Sequence, residues 1–588
     1  MSRRIVPVVV AVAVLAACKG SESPISHAPT TLAIVSGSNQ TGDPSKALAA
    51  PLVVRATDAA GRVVSGVAIG WAVTGGGSVS PPTATTDAQG QASGTWTLGP
   101  TPGTQTATAT GSAMSGAAAA FVAGNGPTIA GTVSIANPDP TSFFSAQRAP
   151  ARSRAPRASV APRYSSGGLV VTFHGAPFHA AAAGSPAYRS LAVAQSTAAA
   201  LQQRVAALTV GLAVGRVRVS PAILAAHVAL TDSTKVAQVM AVLRADPSVA
   251  SVTRDLIYTI RDGAPAPQAV RFVPFRGAAA GSARPAGAAT ALPNDPDYAL
   301  QSWNANMTDL PRAWAITTGS SAFTIADIDM GVRFDDPTLA ANLTSDGYDF
   351  VSQTTLVDLG YDSLGTICGG GGTFTTIDGD GNGPDPDPTD PNDLAFDGTN
   401  NCWQPAALGD HGQWTSGIIG AVGNDGHAVT GVAWTARIRP IRVLGITGDG
   451  IGFDVAQGIL YAAGLPATGA NGALVTAPSR SSIINLSLGG PGVDPSDEAA
   501  IAAAVQAGCL IVASAGNQTT DTPIYPAAYP GVIGVSAVGM DGVIASYSNA
   551  GSYVSLAAPG GEYRTDDNGG DGVLGPGWNF VSGQPVLL

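Results

Sequence analysis

The sequence is poor in charge, in cysteine and in long apolar runs. Charged residues are 12% of the 588, and acids outnumber bases by 40 to 29. No stripe of lysine and arginine with interleaved aromatics occurs, so we expect no nucleic-acid partner. After the N-terminal region no apolar run is long enough to cross a bilayer, so membrane attachment would require a lipid anchor.

Glycine (74) and proline (43) are abundant, and the apolar share comes largely from short runs of alanine and valine. A chain of this length is too long for a single core. The composition is typical of a strand-rich extracytoplasmic protein rather than a disordered one. We therefore expect several domains.

The N-terminus has the layout of a signal peptide. Arg3 and Arg4 precede an apolar run at 5–17, and residues 15–18 (LAAC) resemble the bacterial lipoprotein cleavage box. Residues 1–18 are thus predicted to be a lipoprotein signal peptide with Cys18 as the lipidated residue, which implies a membrane-anchored protein. An ordinary secretory signal with a chance cysteine, and hence a secreted protein, is the alternative.

Three cysteines follow the signal region. Cys368 and Cys402 flank one inserted segment, and in an oxidising compartment we expect a disulfide between them. Cys509 lies in an apolar strand pattern and is predicted to be a buried thiol.

Residues 28–124 alternate short Val/Thr/Ala runs with turns such as those at 58–61 and 87–90. Turns at this spacing predict a β-sandwich. The pattern resembles the immunoglobulin-like repeats of invasin-type bacterial surface proteins, which implies adhesion or spacing. Residues 125–166 follow as a predicted linker.

Residues 167–261 show a strand, helix, strand, strand, helix, strand pattern that ends in DPSVASVTRDLIYTI. This order is similar to the propeptide of subtilisin-like proteases, the inhibitor I9 type. The resemblance implies a small α+β unit that templates folding and blocks the active site. Residues 262–291, rich in Ala, Pro and Gly, are a predicted linker suited to proteolytic release near Ala291.

From residue 292 onward strands alternate with helical patterns, which favours a parallel α/β sheet with helices on both faces. Asp494 as cap, Pro495 in the first turn and Gly508 as stop delimit one helix. The predicted strands are 323–329, 438–443, 482–486, 510–514 and 532–538.

Two motifs point to chemistry. Residues 328–332 (IDMGV) and 410–419 (DHGQWTSGII) resemble the Asp and His motifs of the subtilases, peptidase family S8. The resemblance implies that Asp329 orients an imidazole and that His411 is the general base. Singly, each would equally suit a turn-capping Asp or a surface His. The family's Thr, second His, Val and Ala are replaced here by Gln413, Trp414, Thr415 and Ser416.

Two further segments occur in the family's order. Residues 485–490 (NLSLGG) resemble the segment that pairs with substrate, which implies that Ser487, Leu488 and Gly489 bind the peptide. Residues 513–517 (ASAGN) resemble the oxyanion loop, with Asn517 as the side-chain donor. The resemblance covers about residues 292–583.

The nucleophile of the family is missing from the sequence. Val581, Ser582 and Gly583 fit the start of the family's nucleophile motif, but Pro585 stands at the expected serine. Proline has no hydroxyl, so this subtilase domain (292–588) is expected to be C-terminally truncated and inactive as written. Ser582 is three residues early and is not expected to substitute. We expect a frame shift, and uncovered apolar surface on the sheet.

An acidic insertion separates the Asp and His motifs. Asp378, Asp380 and Asn382 alternate with glycines as in the first half of a calcium loop, but Thr389 stands where the closing Glu would be. Calcium and a solvated acidic loop remain equal alternatives. A second, weaker candidate is the segment 566–571.

These patterns together predict a subtilisin-like serine endopeptidase precursor that acts on proteins or peptides. The alternative is a lipid-anchored surface protein that works through its immunoglobulin-like domain and carries a degenerate protease region. Processing is the discriminating observation: a working subtilase cuts its own propeptide, here near Ala291, whereas this chain is expected to remain joined across 264–293 unless another protease acts. The oligomeric state does not follow from the sequence.

Overall fold

The computed structural model describes most of the chain between residues 28 and 587. The described residues are 28–125 (except 39, 43–44, 101–102, 113 and 115–117), 161–175, 191–260, 290–561 (except 353, 362–364, 371, 392, 398–399 and 406–410), 573, 576–579 and 584–587. They belong to two compact units, one within Met1–Ala151 and one within Arg152–Leu588. Cys18, Ser582, the acidic segment 566–571 and most of both predicted linkers lie outside the described residues.

The first unit is built from two sheets around one apolar core. Along β3 the side chains of Leu52, Val54 and Ala56 are buried and those between them are partly exposed, as expected for a strand with one face on a core. Trp96 from one sheet and Phe121 from the other join the same core. The strand orders are β1-β3-β7-β5 and β2-β9-β8-β4-β6. The strands are β1 (Thr31–Ser36), β2 (Gln40–Gly42), β3 (Leu52–Thr57), β4 (Ala68–Val73), β5 (Ser78–Ser80), β6 (Thr83–Thr85), β7 (Gln91–Thr97), β8 (Gly103–Gly111) and β9 (Ala118–Asn125).

The second unit begins with a small α/β segment in the predicted order. Its first strand starts at Tyr164, inside the predicted linker, because Ile257 donates its amide to the Arg163 carbonyl and extends the pairing. Leu201 and Val239 bring the two helices onto one face of its sheet. The elements are β10 (Tyr164–Phe173), α1 (Leu191–Leu208), β11 (Val214–Ser220), β12 (Ala225–Leu230), α2 (Val236–Arg244) and β13 (Val249–Thr259).

The described residues from 290 onward contain five helices and many strands. Its helices are α3 (Tyr298–Met307), α4 (Leu310–Trp314), α5 (His411–Gly420), α6 (Gly452–Ala462) and α7 (Pro495–Gln506). Its strands are β14 (Gly319–Asp329), β15 (Tyr348–Asp349), β16 (Gly365–Thr366), β17 (Thr373–Phe374), β18 (Leu394–Asp397), β19 (Cys402–Pro405), β20 (Thr435–Arg442), β21 (Asp449–Ile451), β22 (Ala467–Thr468), β23 (Leu474–Val475), β24 (Ile483–Leu486), β25 (Gly490–Pro491), β26 (Leu510–Ser514), β27 (Ile524–Tyr525), β28 (Val532–Val538), β29 (Val554–Pro559), β30 (Pro576–Asn579) and β31 (Gln584–Leu587). Short 3-10 turns lie at Ser233–Lys235, Cys368–Gly370 and Ala470–Gly472.

Seven of these strands form one parallel sheet in the order β15-β20-β14-β24-β26-β28-β29. Because the strands are parallel, their carboxyl ends meet at one edge, which is where α/β sheets bind ligands. The predicted strands are confirmed, and 510–514 and 532–538 agree at both ends. Leu510 and Leu556, on strands late in the chain, are each 49% exposed.

Helices cover both faces of this sheet. Ile328 of β14 packs in a core that includes Phe453 of α6 and Ile501 of α7. Its neighbour Asp327 points to the opposite face, because successive strand residues alternate, and there it contacts α5. The prediction of helices on both faces is therefore confirmed.

Helix α7 begins and ends as its sequence predicts. The Asp494 carboxylate accepts from the backbone amides of Ser496 and Asp497, and Gly508 follows the last turn with φ of 88°. Among the described residues, no helix combines the length and the apolar character needed to cross a membrane.

Candidate active site

The strongest candidate site lies at the carboxyl edge of the parallel sheet. Asp329 is the last residue of β14 and is 1% exposed. His411 is the first residue of α5, and its Nδ1 lies 2.8 Å from Oδ1 and 2.9 Å from Oδ2 of Asp329. The backbone amide of Met330 also donates to Oδ1 (2.8 Å). A buried carboxylate thus holds one ring nitrogen of a histidine whose side chain is 21% exposed.

Two glycines allow helix α5 to begin this close to the end of β14. A Cβ at Gly412 would lie 2.1 Å from the carbonyl oxygen of Gly331, so any side chain there would push the helix away. Gly331 itself has φ of 99°, a conformation that side chains with a Cβ disfavour. The Gly in each motif therefore serves the approach of His411 to Asp329.

The charge state of His411 is controlled by acids around it. Burial lowers the pKa of the His411 imidazole, but the neighbouring Asp329 carboxylate outweighs it and raises that pKa above its ordinary value. The charges of Asp393 and Asp327 act in the same direction. The protonated imidazole is therefore favoured at this position, as a base that must carry a proton during a reaction requires.

The four residues by which α5 departs from the subtilase motif all have partners. Gln413 donates to Asp336 (2.7 Å) and accepts from the Arg333 amide (2.8 Å), which fixes the loop after β14. The indole of Trp414 donates to the carbonyl of Val573 (3.1 Å). The hydroxyls of Thr415 and Ser416 both donate to Asp327, at 2.8 and 2.7 Å. The sequence pattern gave no signal for Asp327, which it counted only as part of a strand.

The predicted substrate-binding residues follow β24 at the same edge of the sheet. Leu488 is 1% exposed, and Ser487 Oγ lies 3.0 Å from the Asn485 amide nitrogen. Gly489 exchanges backbone hydrogen bonds with Thr259, the last residue of β13 (3.2 and 3.3 Å). On its other side β13 pairs with β21, so its end lies between two segments of this edge.

Asn517 lies in the loop that follows β26, at the same edge as Asp329, and is partly buried. The loop is fixed by Asn549, which is fully buried. Its amide nitrogen donates to the Ala515 carbonyl (2.9 Å), and its Oδ1 accepts from the Gln518 amide (2.8 Å). The sequence alone did not point to Asn549.

The expected position of the nucleophile is described only in its backbone. Pro585 lies in β31 and is paired with Trp578 of β30, in a hairpin that adjoins α5. Residues 581–583 and Asp410 lie outside the described residues.

The predicted calcium ligands are bound by protein groups or exposed to solvent. Asp378 is 1% exposed and accepts from Thr376 Oγ1 (2.6 Å) and the Gly379 amide (3.0 Å). Asn382 donates to Asp385 (2.7 Å), and Asp380 is exposed. In the described part of the chain no group of three or more His, Cys, Asp or Glu residues is arranged to hold a metal. The described residues therefore give no support to a calcium site here.

A buried arginine side chain lies at the inner end of this loop. The guanidinium of Arg442, at the end of β20, is 1% exposed and donates to Asp349 and to the carbonyl of Asp378. Burial raises the pKa of Asp349 to about 7, although Arg442 opposes the shift. An internal arginine therefore takes part of the role that the sequence suggested for a metal.

The insertion between the two motifs is closed by a disulfide. Cys368 and Cys402 are joined, with their Cα atoms 5.2 Å apart. Trp403 packs edge to face against Tyr361 and Phe374 next to this bond. Cys509 is a buried thiol that donates to the Ser481 carbonyl (3.3 Å).

The subtilase family, peptidase S8, matches residues 320–583 of the chain. This segment contains Asp329, His411 and Asn517 together with the segment around Gly489.

Three curated proteins illustrate the similarity. A thermophilic serine proteinase from Bacillus sp. (strain AK1) is 31% identical over 268 residues, which cover 46% of this chain and 51% of that protein. Thermitase from Thermoactinomyces vulgaris is 30% identical over 268 residues, which cover 46% of this chain and 73% of thermitase. An extracellular protease from Xanthomonas campestris pv. campestris is 32% identical over 291 residues, which cover 48% of this chain and 45% of that protein. The chain thus spans about half the length of the first and third of these relatives.

Proposed function

Because the chain belongs to the subtilase family, we propose that it is the precursor of a subtilisin-like serine endopeptidase that acts on proteins or peptides. The observation that carries this proposal is the contact between Asp329 and His411. With Nδ1 held by a carboxylate, the neutral imidazole presents Nε2 as the proton acceptor, which is the arrangement a serine protease requires.

The remaining roles follow from position at the sheet edge. Asn517 would donate to the oxyanion of the tetrahedral intermediate, and Asn549 would hold its loop. Ser487, Leu488 and Gly489 would bind the substrate as an added strand, since Gly489 already exchanges backbone hydrogen bonds with Thr259. No step is assigned to a metal.

The proposal includes the absence of catalysis by residues 1–588 themselves. Pro585 stands where the family motif has its serine, and a proline side chain cannot attack a carbonyl. We therefore expect no acyl-enzyme and no self-cleavage within residues 262–291.

We further propose that residues 167–261 are the propeptide. Besides the Thr259 contact, Asp255 accepts from the amide of Phe453 at the start of α6 (3.3 Å). Arg218 of β11 forms a fully buried ion pair with Asp454 of α6. The segment thus contacts the protease-like part through both backbone and buried charge.

The proposed location is extracytoplasmic, through the signal peptide 1–18 with lipidation at Cys18, or by plain secretion. One relative is itself an extracellular protease. A second function is favoured by the compact first unit: residues 28–124 would act as an immunoglobulin-like spacer or adhesion domain on the cell surface.

The test replaces residues 584–588 with the serine-bearing segment and following helices of a subtilase. This chimera is expected to hydrolyse casein and to react with a fluorophosphonate probe, whereas the chain 1–588 does neither. His411→Ala and Asp329→Asn in the chimera are the matched controls, and each should lose about three or more powers of ten in kcat. A chimera that folds but hydrolyses nothing, or that is unaffected by His411→Ala, would contradict the proposal.

A further inference from the structure

A second acid lies next to the Asp329 and His411 pair. Asp327 precedes Asp329 by two residues on β14, so both side chains point to the face of the sheet that α5 covers. Asp327 is 2% exposed. Burial and the nearby Asp329 charge raise its pKa to about 6, although its hydrogen bonds oppose the shift. Two carboxylates thus share a closed space beneath the start of one helix.

Asp327 is bound from two neighbouring elements. Its Oδ2 accepts from Ser416 Oγ (2.7 Å) and Thr415 Oγ1 (2.8 Å) on α5. Its Oδ1 accepts from the Asn485 side-chain amide (2.9 Å) on β24. Since a buried carboxylate is tolerated only when it is hydrogen-bonded, these three donors are what keeps it charged in this place.

These contacts connect the parts of the proposed site. Helix α5 starts with His411, and the Thr415 hydroxyl also lies 3.5 Å from Oδ2 of Asp329. The amide of Asn485 lies 3.0 Å from Ser487 Oγ in the proposed substrate segment. One carboxylate therefore fixes the base helix and the substrate segment relative to the strand of the acid.

The hydroxyl donors are departures from the subtilase motif. Thr415 and Ser416 stand where the subtilase motif has Val and Ala, whose side chains donate no hydrogen bond. The departures from the motif and the extra acid therefore form one unit. A hydroxyl pair and a buried acid that served packing alone would be replaced by apolar residues without loss.

We propose that Asp327 is a positioning residue that holds α5 and the end of β24 in register with Asp329, and that its negative charge supports the protonated form of His411. This inference rests on the proposed function in that His411 is taken as the base. Among the described residues, the charged groups that act on His411 are Asp329, Asp393 and Asp327. Each favours the imidazolium, and Asp327 also accepts hydrogen bonds from the Thr415 and Ser416 hydroxyls of α5.

The test is a pH titration of the His411 ring followed by NMR on the full chain 1–588, which needs no catalytic turnover. In the native chain the His411 curve is expected to carry a second inflection near pH 6, where Asp327 titrates. Asp327→Asn should remove this inflection and lower the pKa of His411 by about one pH unit. Asp335→Asn, which removes an exposed carboxylate, is the matched control and should change neither.

A second variant keeps the charge and removes its donors. In the double variant Thr415→Val with Ser416→Ala, the carboxylate loses two hydrogen bonds, so the second inflection should move to higher pH. If the inflection does not arise from Asp327, the double variant leaves it in place.

The outcomes separate this inference from the proposed function. If folded Asp327→Asn leaves the His411 curve unchanged, the role of Asp327 is wrong. If Asp327→Asn does not fold, the double variant decides, and an unmoved inflection overturns the inference. If Asp329→Asn leaves the His411 curve unchanged, the proposed acid and base pair itself fails.

Discussion

The two compact units of this protein bury very different groups. The first packs apolar side chains such as Leu52 and Trp96, and its buried acid Asp58 caps a turn, where the backbone amide of Arg62 lowers the pKa of the carboxyl. The second encloses charges, and burial raises the pKa of Asp327 and of Asp494 to about 6. The acid in the first unit stabilises a turn. The acids in the second unit are buried at a cost in free energy, which is typical of functional regions.

The largest effect is expected where a buried charge loses its partner. Arg218→Met removes the cation that pairs with the buried Asp454 carboxylate between β11 and α6, and should lower the free energy of unfolding of the second unit by about 3–5 kcal/mol. Removing both charges, in Arg218→Met with Asp454→Asn, should restore most of this loss. Urea denaturation measures the difference.

Lys235→Met is the matched control in the same segment, because that side chain is exposed, and it should change the unfolding free energy by less than about 0.5 kcal/mol. If Arg218→Met is equally mild, the ion pair is solvated and the contrast between the units is weaker than described.

In the first unit the corresponding loss of stability is expected from a substitution that creates a cavity in the core. Leu52→Ala should lower the free energy of unfolding of that unit by about 2–5 kcal/mol, because Leu52 is fully buried in its core. The His411 titration should not change, since Leu52 belongs to the other compact unit. Thermal unfolding followed by calorimetry would show which transition moves.

Val35→Ala, at a position that is 43% exposed, provides the comparison and should have little effect. A Leu52→Ala variant that shifts the His411 curve would mean that the two units are coupled.

The smallest expected effect is a change in Tm that depends on pH. Burial raises the pKa of Asp497 well above its ordinary value, and Asp494 adds to the shift. The unfolded chain releases this proton near pH 4 while the folded chain retains it, so the stability that the group contributes is lost as pH rises from about 4 through the folded pKa. Asp497→Asn should therefore raise Tm at pH 7.5 by about 2–4 °C and leave it unchanged at pH 3.

Glu498→Gln is the control for this variant, because Glu498 is exposed in the same helical turn and should give no gain at pH 7.5. A fall in Tm for Asp497→Asn at pH 7.5 would show that the ionised carboxylate is favourable there.

Much of the fold could be predicted from local patterns. Helix α7 carries its own start and stop in Asp494, Pro495 and Gly508, and buried parallel strands such as β26 are short apolar runs. The predicted linker extended to residue 166, past the start of β10 at Tyr164. Tyr164 pairs with Leu256, which is far away in the sequence, so no local pattern marks it as a strand residue. Pairing across a long sequence separation has no local signal.

The residues of the candidate site could be predicted where they belong to a sequence motif, but not where they contribute only through contacts with distant residues. Asp329 and His411 lie together because Gly331 and Gly412 permit close approach, and both glycines belong to the motifs. Asp327 and Asn549 act through partners 89 and 31 residues away, so neither has a pattern of its own. The acidic loop suggested a metal site because the loop sequence alone does not show that the Arg442 side chain, from β20, donates a hydrogen bond there.

If the edge at Gly489 binds substrate as proposed, its contact with Thr259 makes the end of β13 a tethered competitor for an incoming peptide. While residues 261–289 remain intact, this competitor stays at an effective concentration on the order of millimolar, whatever the amount of protein in solution. After a cut in that segment, the fraction of molecules whose edge is occupied by the end of β13 would depend on total protein concentration instead. Dilution would then increase access to the cleft.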